Sequence, residues 1–347
     1  MKKLEELVRP NVWRMEPYSC ARDEFKGEHA IFLDANESPW NAPYNRYPDP
    51  MQRLVKERLT ELKGVRPESI FLGNGSDEAI DLMIRAFCEP GQENIVTITP
   101  SYGMYQVCAE LNNVECRMVE LAENFALDAN AVLAAVDDKT RLIFLCSPNN
   151  PTGNSLDRKK IYKILDEFEG IVVIDEAYID FSSLPSILAL LPKYPNLVVL
   201  QTLSKAWGAA SIRLGMAFAS PEIIAVLNKI KYPYNVNMLT QIKAAEFLVS
   251  DATKQMQVDH VLTERARLEK ILKGRPFLYK VYPSDANFLL VEVGNADMIY
   301  QSLVSEGIVV RNRTNVLKCR GCLRITIGKQ DENDSLVEAL RRIKKKA

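Results

Sequence analysis

Lys205 follows the apolar run Leu197-Val-Val-Leu and precedes small residues, Ala206-Trp-Gly-Ala-Ala-Ser. An ammonium group is poor packing material there, so the position suits an amine whose pKa is lowered by desolvation and nearby cations until it can act as nucleophile or base. Asp175 closes a second apolar run, Ile171-Val-Val-Ile, where a carboxylate is costly unless paired. Such an acid either holds the ring nitrogen of pyridoxal phosphate protonated in a lysine enzyme, or serves as a metal-binding or general-base carboxylate. Gly73-Asn-Gly-Ser-Asp reads as a turn entering a helix, whose free N–H groups and positive dipole end suit a phosphate. The same letters also make an ordinary turn and N-cap. They are not a Walker A loop, which needs a Gly-Lys ending, nor G-x-G-x-x-G, because Glu78 stands where the third glycine belongs. Arg213, eight residues beyond Lys205, adds a fixed cation able to grip a phosphomonoester bidentately.

In open α/β sheets a ligand lies beyond the carboxyl ends of the strands, so these residues must hang from such ends. The strand candidates are Ile70-Phe-Leu, Ile95-Val-Thr-Ile-Thr, Val114 to Val119, Leu142-Ile-Phe-Leu, Ile171-Val-Val-Ile, Leu197-Val-Val-Leu and Leu214-Gly-Met-Ala-Phe-Ala. Between them, Ile80, Met83, Ile84 and Phe87 share one face of a helix over 77–88, and Ile161, Ile164, Leu165 and Phe168 repeat the spacing over 158–168. This alternation predicts an α/β domain with a mainly parallel sheet. Beyond Pro233 the pattern changes to long amphipathic helices over 238–272, strand candidates Phe288 to Val293, Ile308-Val-Val-Arg and Leu323 to Ile327, and a closing helix over 335–343. The expected organisation is an N-terminal arm over 1–30, a large domain over 31–233 and a smaller α+β domain over 234–347 with the arm packed against it.

Composition removes other classes of function. The 347 residues carry 44 Lys+Arg against 45 Asp+Glu, a net charge of −1, which gives no field for nucleic acid or an anionic membrane. Only His29 and His260 are present, so a His-rich zinc site or a Ser/His/Asp triad is not expected, and no metal is. Seven cysteines lie mostly in apolar stretches and suit reduced thiols; Cys319-Arg-Gly-Cys322 has no second pair to complete a zinc site. Glu5 and Glu6 interrupt the place where a signal peptide needs apolar residues, and no run of 18 apolar residues occurs, so a cytoplasmic protein is expected.

The motifs together resemble the fold-type I pyridoxal-phosphate aminotransferases and, within them, the histidinol-phosphate branch. The resemblance runs from Leu33-Asp-Ala-Asn-Glu-Ser-Pro and Arg46-Tyr-Pro-Asp through Gly75-Ser-Asp-Glu, Asn149-Asn-Pro-Thr-Gly and Asp175-Glu-Ala-Tyr to Ser204-Lys and Gly321-Cys-Leu-Arg-Ile-Thr-Ile-Gly. It implies a large domain with a mainly parallel seven-stranded sheet, a homodimer, pyridoxal 5'-phosphate as cofactor, and amino transfer between L-histidinol phosphate and 2-oxoglutarate. It also implies roles: Lys205 carries the cofactor, Asp175 faces its ring nitrogen, Asn150 and Tyr178 donate to its phenolic oxygen, and Tyr102 stacks on the ring. Gly75, Ser76, Asp77, Ser204 and Arg213 would hold the cofactor phosphate, with Tyr47 reaching it from the other subunit. Arg324 would grip the substrate's anionic end, Arg311 and Tyr18 would add a phosphate-binding pair, and Asn36 would also touch substrate. A decarboxylase of phosphorylated amino acids would share every cofactor residue, whereas an aromatic aminotransferase would not need both Arg311 and Tyr18.

Overall fold

Residues 2–18, 31–274 and 278–343 are described by a computed structural model. The β-branched runs form strands β1 (Ile70–Asn74), β2 (Asn94–Thr99), β3 (Glu115–Glu120), β4 (Thr140–Cys146), β5 (Ile171–Asp175), β6 (Leu197–Thr202) and β7 (Leu214–Phe218). They make one sheet in the order β1-β7-β6-β5-β4-β2-β3. Strands β2 to β6 pair parallel, while β7 runs antiparallel to both β6 and β1. The exception has a local cause. Parallel neighbours need a crossover of a dozen or more residues, usually a helix, whereas the link from β6 to β7 is a tight return containing only the 3₁₀ turn Ala210–Ile212. That return carries Lys205 and Arg213.

Central strands β5 and β6 are buried along their whole length, and edge strand β3 has only exposed and half-buried residues. One face is covered by helices Ser76–Phe87, Met104–Leu111 and Pro221–Ile230, and the other by Arg53–Lys63, Arg158–Glu167 and Met238–Phe247, each face with its own apolar core.

The described part of the arm departs from expectation. Short helices Leu4–Leu7 and Pro10–Arg14 bury Leu7, Val8 and Val12 in the core beneath Ser76–Phe87, not against the C-terminal unit. The Arg9 amide donates to the Ala86 carbonyl at 2.9 Å, its guanidinium pairs with Glu89 at 3.1 Å, and Lys229 Nζ donates to the Trp13 carbonyl at 2.7 Å. Residues 19–30, with His29 and Cys20, lie outside the described residues.

Val236, Ala244, Ala245 and Leu248 belong to the larger core, so the helix that follows the expected boundary near residue 233 packs with the large sheet. Helix Ala252–Lys273 then leads to a second sheet of β8 (Leu278–Val281), β9 (Phe288–Val293), β10 (Arg311–Asn312) and β11 (Cys322–Thr326), antiparallel in the order β10-β11-β9-β8. Helices Ala296–Ser305 and Gln330–Ile343 pack on it, the first not anticipated by the periodicity. The strand expected over 308–311 is reduced to Arg311–Asn312 because the Ile308 amide turns back to the Leu303 carbonyl at the helix end. Among the described residues six cysteines are free thiols, and burial pushes Cys319 up to about 11 and Cys322 up to about 12. No described helix is long and apolar enough to cross a membrane.

Candidate active site

The carboxyl ends of β4, β5 and β6, the turn after β1 and the edge of the second sheet meet around a cavity of about 680 Å³. It brings together Gly75, Ser76, Asp77, Tyr102, Asn150, Asp175, Tyr178, Ser204, Lys205, Arg213, Arg311 and Arg324. Asp175 is the last residue of β5 and only 2% exposed. Its Oδ2 accepts from the Tyr105 hydroxyl at 2.6 Å and its Oδ1 from the Ala177 amide at 3.0 Å. Burial raises its pKa, and those two donors work against the rise. Glu176, on the opposite side of the chain, is tied into the protein by the Ile187 amide at 2.8 Å and by Ser186 and Gln201, which anchors the turn that presents Ala177 and Tyr178.

Lys205 opens into the cavity, reachable by water yet walled by protein, with Nζ 5.5 Å from the Tyr178 ring centre. Desolvation lowers its pKa, and Arg324 lowers it further against the opposing pull of Asp175 and Asp77. The Tyr178 hydroxyl is buried and its pKa is raised, chiefly by desolvation, so it stays a donor.

At the β1 end the backbone is shaped for a close neighbour. Gly75 caps the helix Ser76–Phe87 at φ 74° and ψ 169°, a conformation open to glycine, and a Cβ there would lie 2.5 Å from Arg213 Nη2. Gly215 lets β7 approach so closely that a Cβ would come within 2.1 Å of the Ser76 amide nitrogen. Arg213 lies 3.6 Å from Asp77 and 3.4 Å from Ser204 Oγ, and Tyr102 donates to Asp77 at 2.9 Å. The helix N-terminus, Ser204 and Arg213 thus form one cationic, donor-rich pocket.

The opposite wall is a cluster of guanidinium groups. Arg324 on β11 donates to Asn150 Oδ1 and sits 5.3 Å from the Phe288 ring centre. Arg311 is its direct cross-strand partner on β10. Burial lowers the Arg324 pKa, and the Arg311 charge adds to that shift.

Tyr18, Asn36 and Tyr47 are not brought to this cavity within one chain. Tyr18 is 74% exposed, while Asn36 and Tyr47 line a separate cavity in which Tyr47 stacks on Tyr234 with ring centres 4.4 Å apart. Two site residues escape the sequence reading. Tyr105 lies three residues after Tyr102 in a helix, where an aromatic residue reads as core. Arg313 lines the cavity and lies two residues after Arg311, a same-face spacing on extended chain that was there to be read.

A lysine at one strand end facing a buried aspartate at the next, beneath helices on both sheet faces, defines an α/β enzyme of the lysine-and-cofactor type. The chain belongs to the class I and II aminotransferases, matching that family over residues 33–340. It is 70% identical to the histidinol-phosphate aminotransferase of Parabacteroides distasonis over 99% of this chain and 100% of that one. The crystal structure of the histidinol-phosphate aminotransferase from Clostridium acetobutylicum superposes with a TM-score of 0.80 at 26% identity, covering 88% of this chain and 92% of that one. The enzyme from Sinorhizobium meliloti, solved in complex with pyridoxal-5'-phosphate, gives a TM-score of 0.79 at 25% identity over 89% and 90% of the two chains.

Proposed function

We propose that this protein is a pyridoxal-phosphate-dependent aminotransferase that moves the amino group of L-histidinol phosphate to 2-oxoglutarate, giving imidazole acetol phosphate and L-glutamate in histidine biosynthesis. The observation that carries the reading is one cavity with Lys205 and buried Asp175 between two separate cationic ends, the Ser76–Arg213 pocket and the Arg311–Arg324 pair. One end matches the phosphate of the cofactor. The other matches the anionic end of a substrate.

The residues fit the cofactor. The space a Gly75 Cβ would fill lies against Arg213, leaving the helix amides and the guanidinium open to a phosphate. Asp175 would face a protonated ring nitrogen, its carboxyl group oriented by the Tyr105 hydroxyl and the Ala177 amide. Asn150 has its Oδ1 occupied by Arg324, which leaves its amide N–H groups, with the Tyr178 hydroxyl, for the phenolic oxygen. Tyr102 is positioned by Asp77 to cover the ring.

When bound, pyridoxal phosphate supplies an aldehyde for the substrate amine and an electron sink for the α-carbon. Lys205 Nζ is the base that takes the α-proton, and desolvation together with the Arg324 charge shifts it toward the neutral amine that this role needs. Arg324 orients the substrate by its anionic end, a phosphate in one half-reaction and a carboxylate in the other, with Arg311 beside it. Asp175 keeps negative charge where positive charge must be maintained on the ring nitrogen.

The proposed unit is a cytoplasmic homodimer. Ile31 and Leu33 are 89% and 88% exposed, and Trp40 and Tyr44 lie in the same stretch, an apolar surface suited to a second copy. That copy would bring Tyr47, Asn36 and Tyr18 to its neighbour's cavity. Free thiols at all six described cysteines fit a reducing compartment. The testing experiment is product analysis across a panel of amine donors with 2-oxoglutarate, alongside sedimentation of the holoenzyme. Histidinol phosphate should be the best donor and the active species a dimer. Release of carbon dioxide from phosphothreonine without amine transfer, or preference for an aromatic amino acid, would overturn the substrate; full activity as a monomer would overturn the dimer.

A further inference from the structure

Arg311, Arg313 and Arg324 form a group of like charges with no carboxylate partner among the described residues. Arg311 is paired with Arg324 across β10 and β11, and the Arg313 amide donates to the Cys322 carbonyl at 2.8 Å, which extends the pairing by one position beyond Asn312 and Leu323. Side chains two apart on an extended chain share a face, so Arg313 lies on the side of Arg311 and Arg324, and all three line the cavity. Asn312 points the other way and bonds Asp297. The Nε atoms of Arg313 and Arg324 are both buried with no hydrogen-bond partner. The two acids of the cavity are engaged elsewhere, Asp77 with Tyr102 and Arg213 and Asp175 with Tyr105. Buried N–H donors without acceptors are expensive, and three guanidinium groups repel one another unless an anion sits between them.

We infer that Arg313 is a third ligand of the substrate's distal anion and the residue that favours a phosphate dianion over a carboxylate there. This rests on the aminotransferase reading above for the identity of the substrate. A carboxylate offers two oxygens in one plane and one charge, which Arg324 and Arg311 satisfy. A phosphate monoester offers three terminal oxygens arranged around a tetrahedral centre and nearly two charges, enough to engage a third guanidinium. The unpartnered Nε of Arg313 then acquires an acceptor only in the phosphate complex.

The test uses the holoenzyme, whose cofactor occupies its own phosphate pocket, so added inorganic phosphate reports on the second anion site. Calorimetric titration with inorganic phosphate and with succinate is made for the wild type, Arg313→Gln and Arg313→Lys. Arg313→Gln should weaken phosphate by about tenfold or more, the size of one charge-assisted contact, and succinate by less than about threefold. Arg313→Lys should recover part of the phosphate affinity through charge alone. In single-turnover experiments Arg313→Gln should raise the apparent dissociation constant for histidinol phosphate by a larger factor than that for glutamate, with Arg313→Lys intermediate between Arg313→Gln and wild type. Equal weakening of both anions, or unchanged phosphate binding, would overturn the inference. A wild type that transfers no amine from histidinol phosphate, with phosphate binding still dependent on Arg313, would overturn the substrate and leave Arg313 as a phosphate ligand.

Discussion

Replacing Tyr105 by phenylalanine deletes a single hydroxyl, fully buried, whose oxygen lies 2.6 Å from Asp175 Oδ2. The ring itself stays in place, stacked on Phe144 at 5.0 Å and meeting Tyr102 edge-on at 5.7 Å, so the packing contribution is kept. What is lost is a hydrogen bond to a charged group, about 1.5–3 kcal/mol, and Asp175 Oδ2 is left with no donor. Burial already raises the Asp175 pKa, and losing its strongest opposing donor raises it further. The sign of the pH dependence follows. A carboxyl whose folded pKa lies above its unfolded value near 3.9 binds more protons folded than unfolded, so stability falls as pH rises through the interval between the two. The variant's interval extends to higher pH. Its deficit relative to the wild type should therefore be small where Asp175 is neutral in both proteins, grow once the wild-type carboxylate ionises, and reach the full amount where Asp175 is ionised in both. Urea unfolding of cofactor-free wild type and variant across a pH series measures this directly. A loss below about 0.5 kcal/mol at every pH, or a loss that does not change with pH, would refute a Tyr105 hydroxyl that holds an ionised Asp175.

Lys205→Ala should abolish the borohydride-fixed cofactor label and lower turnover by several orders of magnitude, because the covalent anchor and the base leave together; peptide mapping that finds the label on another lysine would remove Lys205 from its role. Arg311→Ala should weaken the histidinol-phosphate half-reaction by about 2 kcal/mol and the 2-oxoglutarate half-reaction less, whereas Arg324→Ala should damage both, as read by single-turnover absorbance. Gly75→Ala places a Cβ 2.5 Å from Arg213 Nη2 at φ 74°, so cofactor binding should weaken with a stability loss of about 1–3 kcal/mol, visible as faster release on dialysis and a lower Tm. Tyr47→Phe should weaken cofactor retention by about 1 kcal/mol with unchanged folding; loss of retention in mixed dimers that depends only on the subunit's own Tyr47 would contradict its reach across the interface.

Where chemistry is tied to strand ends, the amino-acid order alone determined the outcome. Apolar β-branched runs read as buried strands and a parallel sheet sets its ligands beyond their carboxyl ends, so Asp175 and Lys205 were legible beyond neighbouring strand ends before any coordinates, with Asn150 added by the family resemblance. Their residue types then limit the chemistry, since an acid at a buried strand end is tolerated only when it has a partner. The features that tertiary structure decided are those in which one segment's environment is made by distant ones. The arm's Leu7, Val8 and Val12 carry an apolar pattern that fits many surfaces, and only the groove under Ser76–Phe87 selects among them. β7 runs against its neighbours because the return holding Lys205 is too short to cross over, a matter of chain geometry rather than residue preference. Tyr105 reads as packing until β5 is set beside its helix and Asp175 needs a donor. The spacing of Arg311 and Arg313 sets them on one face of an extended chain, but only the packing of the second sheet turns that face into the cavity with Arg324. Periodicity records which side of an element is apolar; which charge meets which across two sheets depends on long-range packing, because burial and Coulomb interaction act on distances that only the folded chain defines.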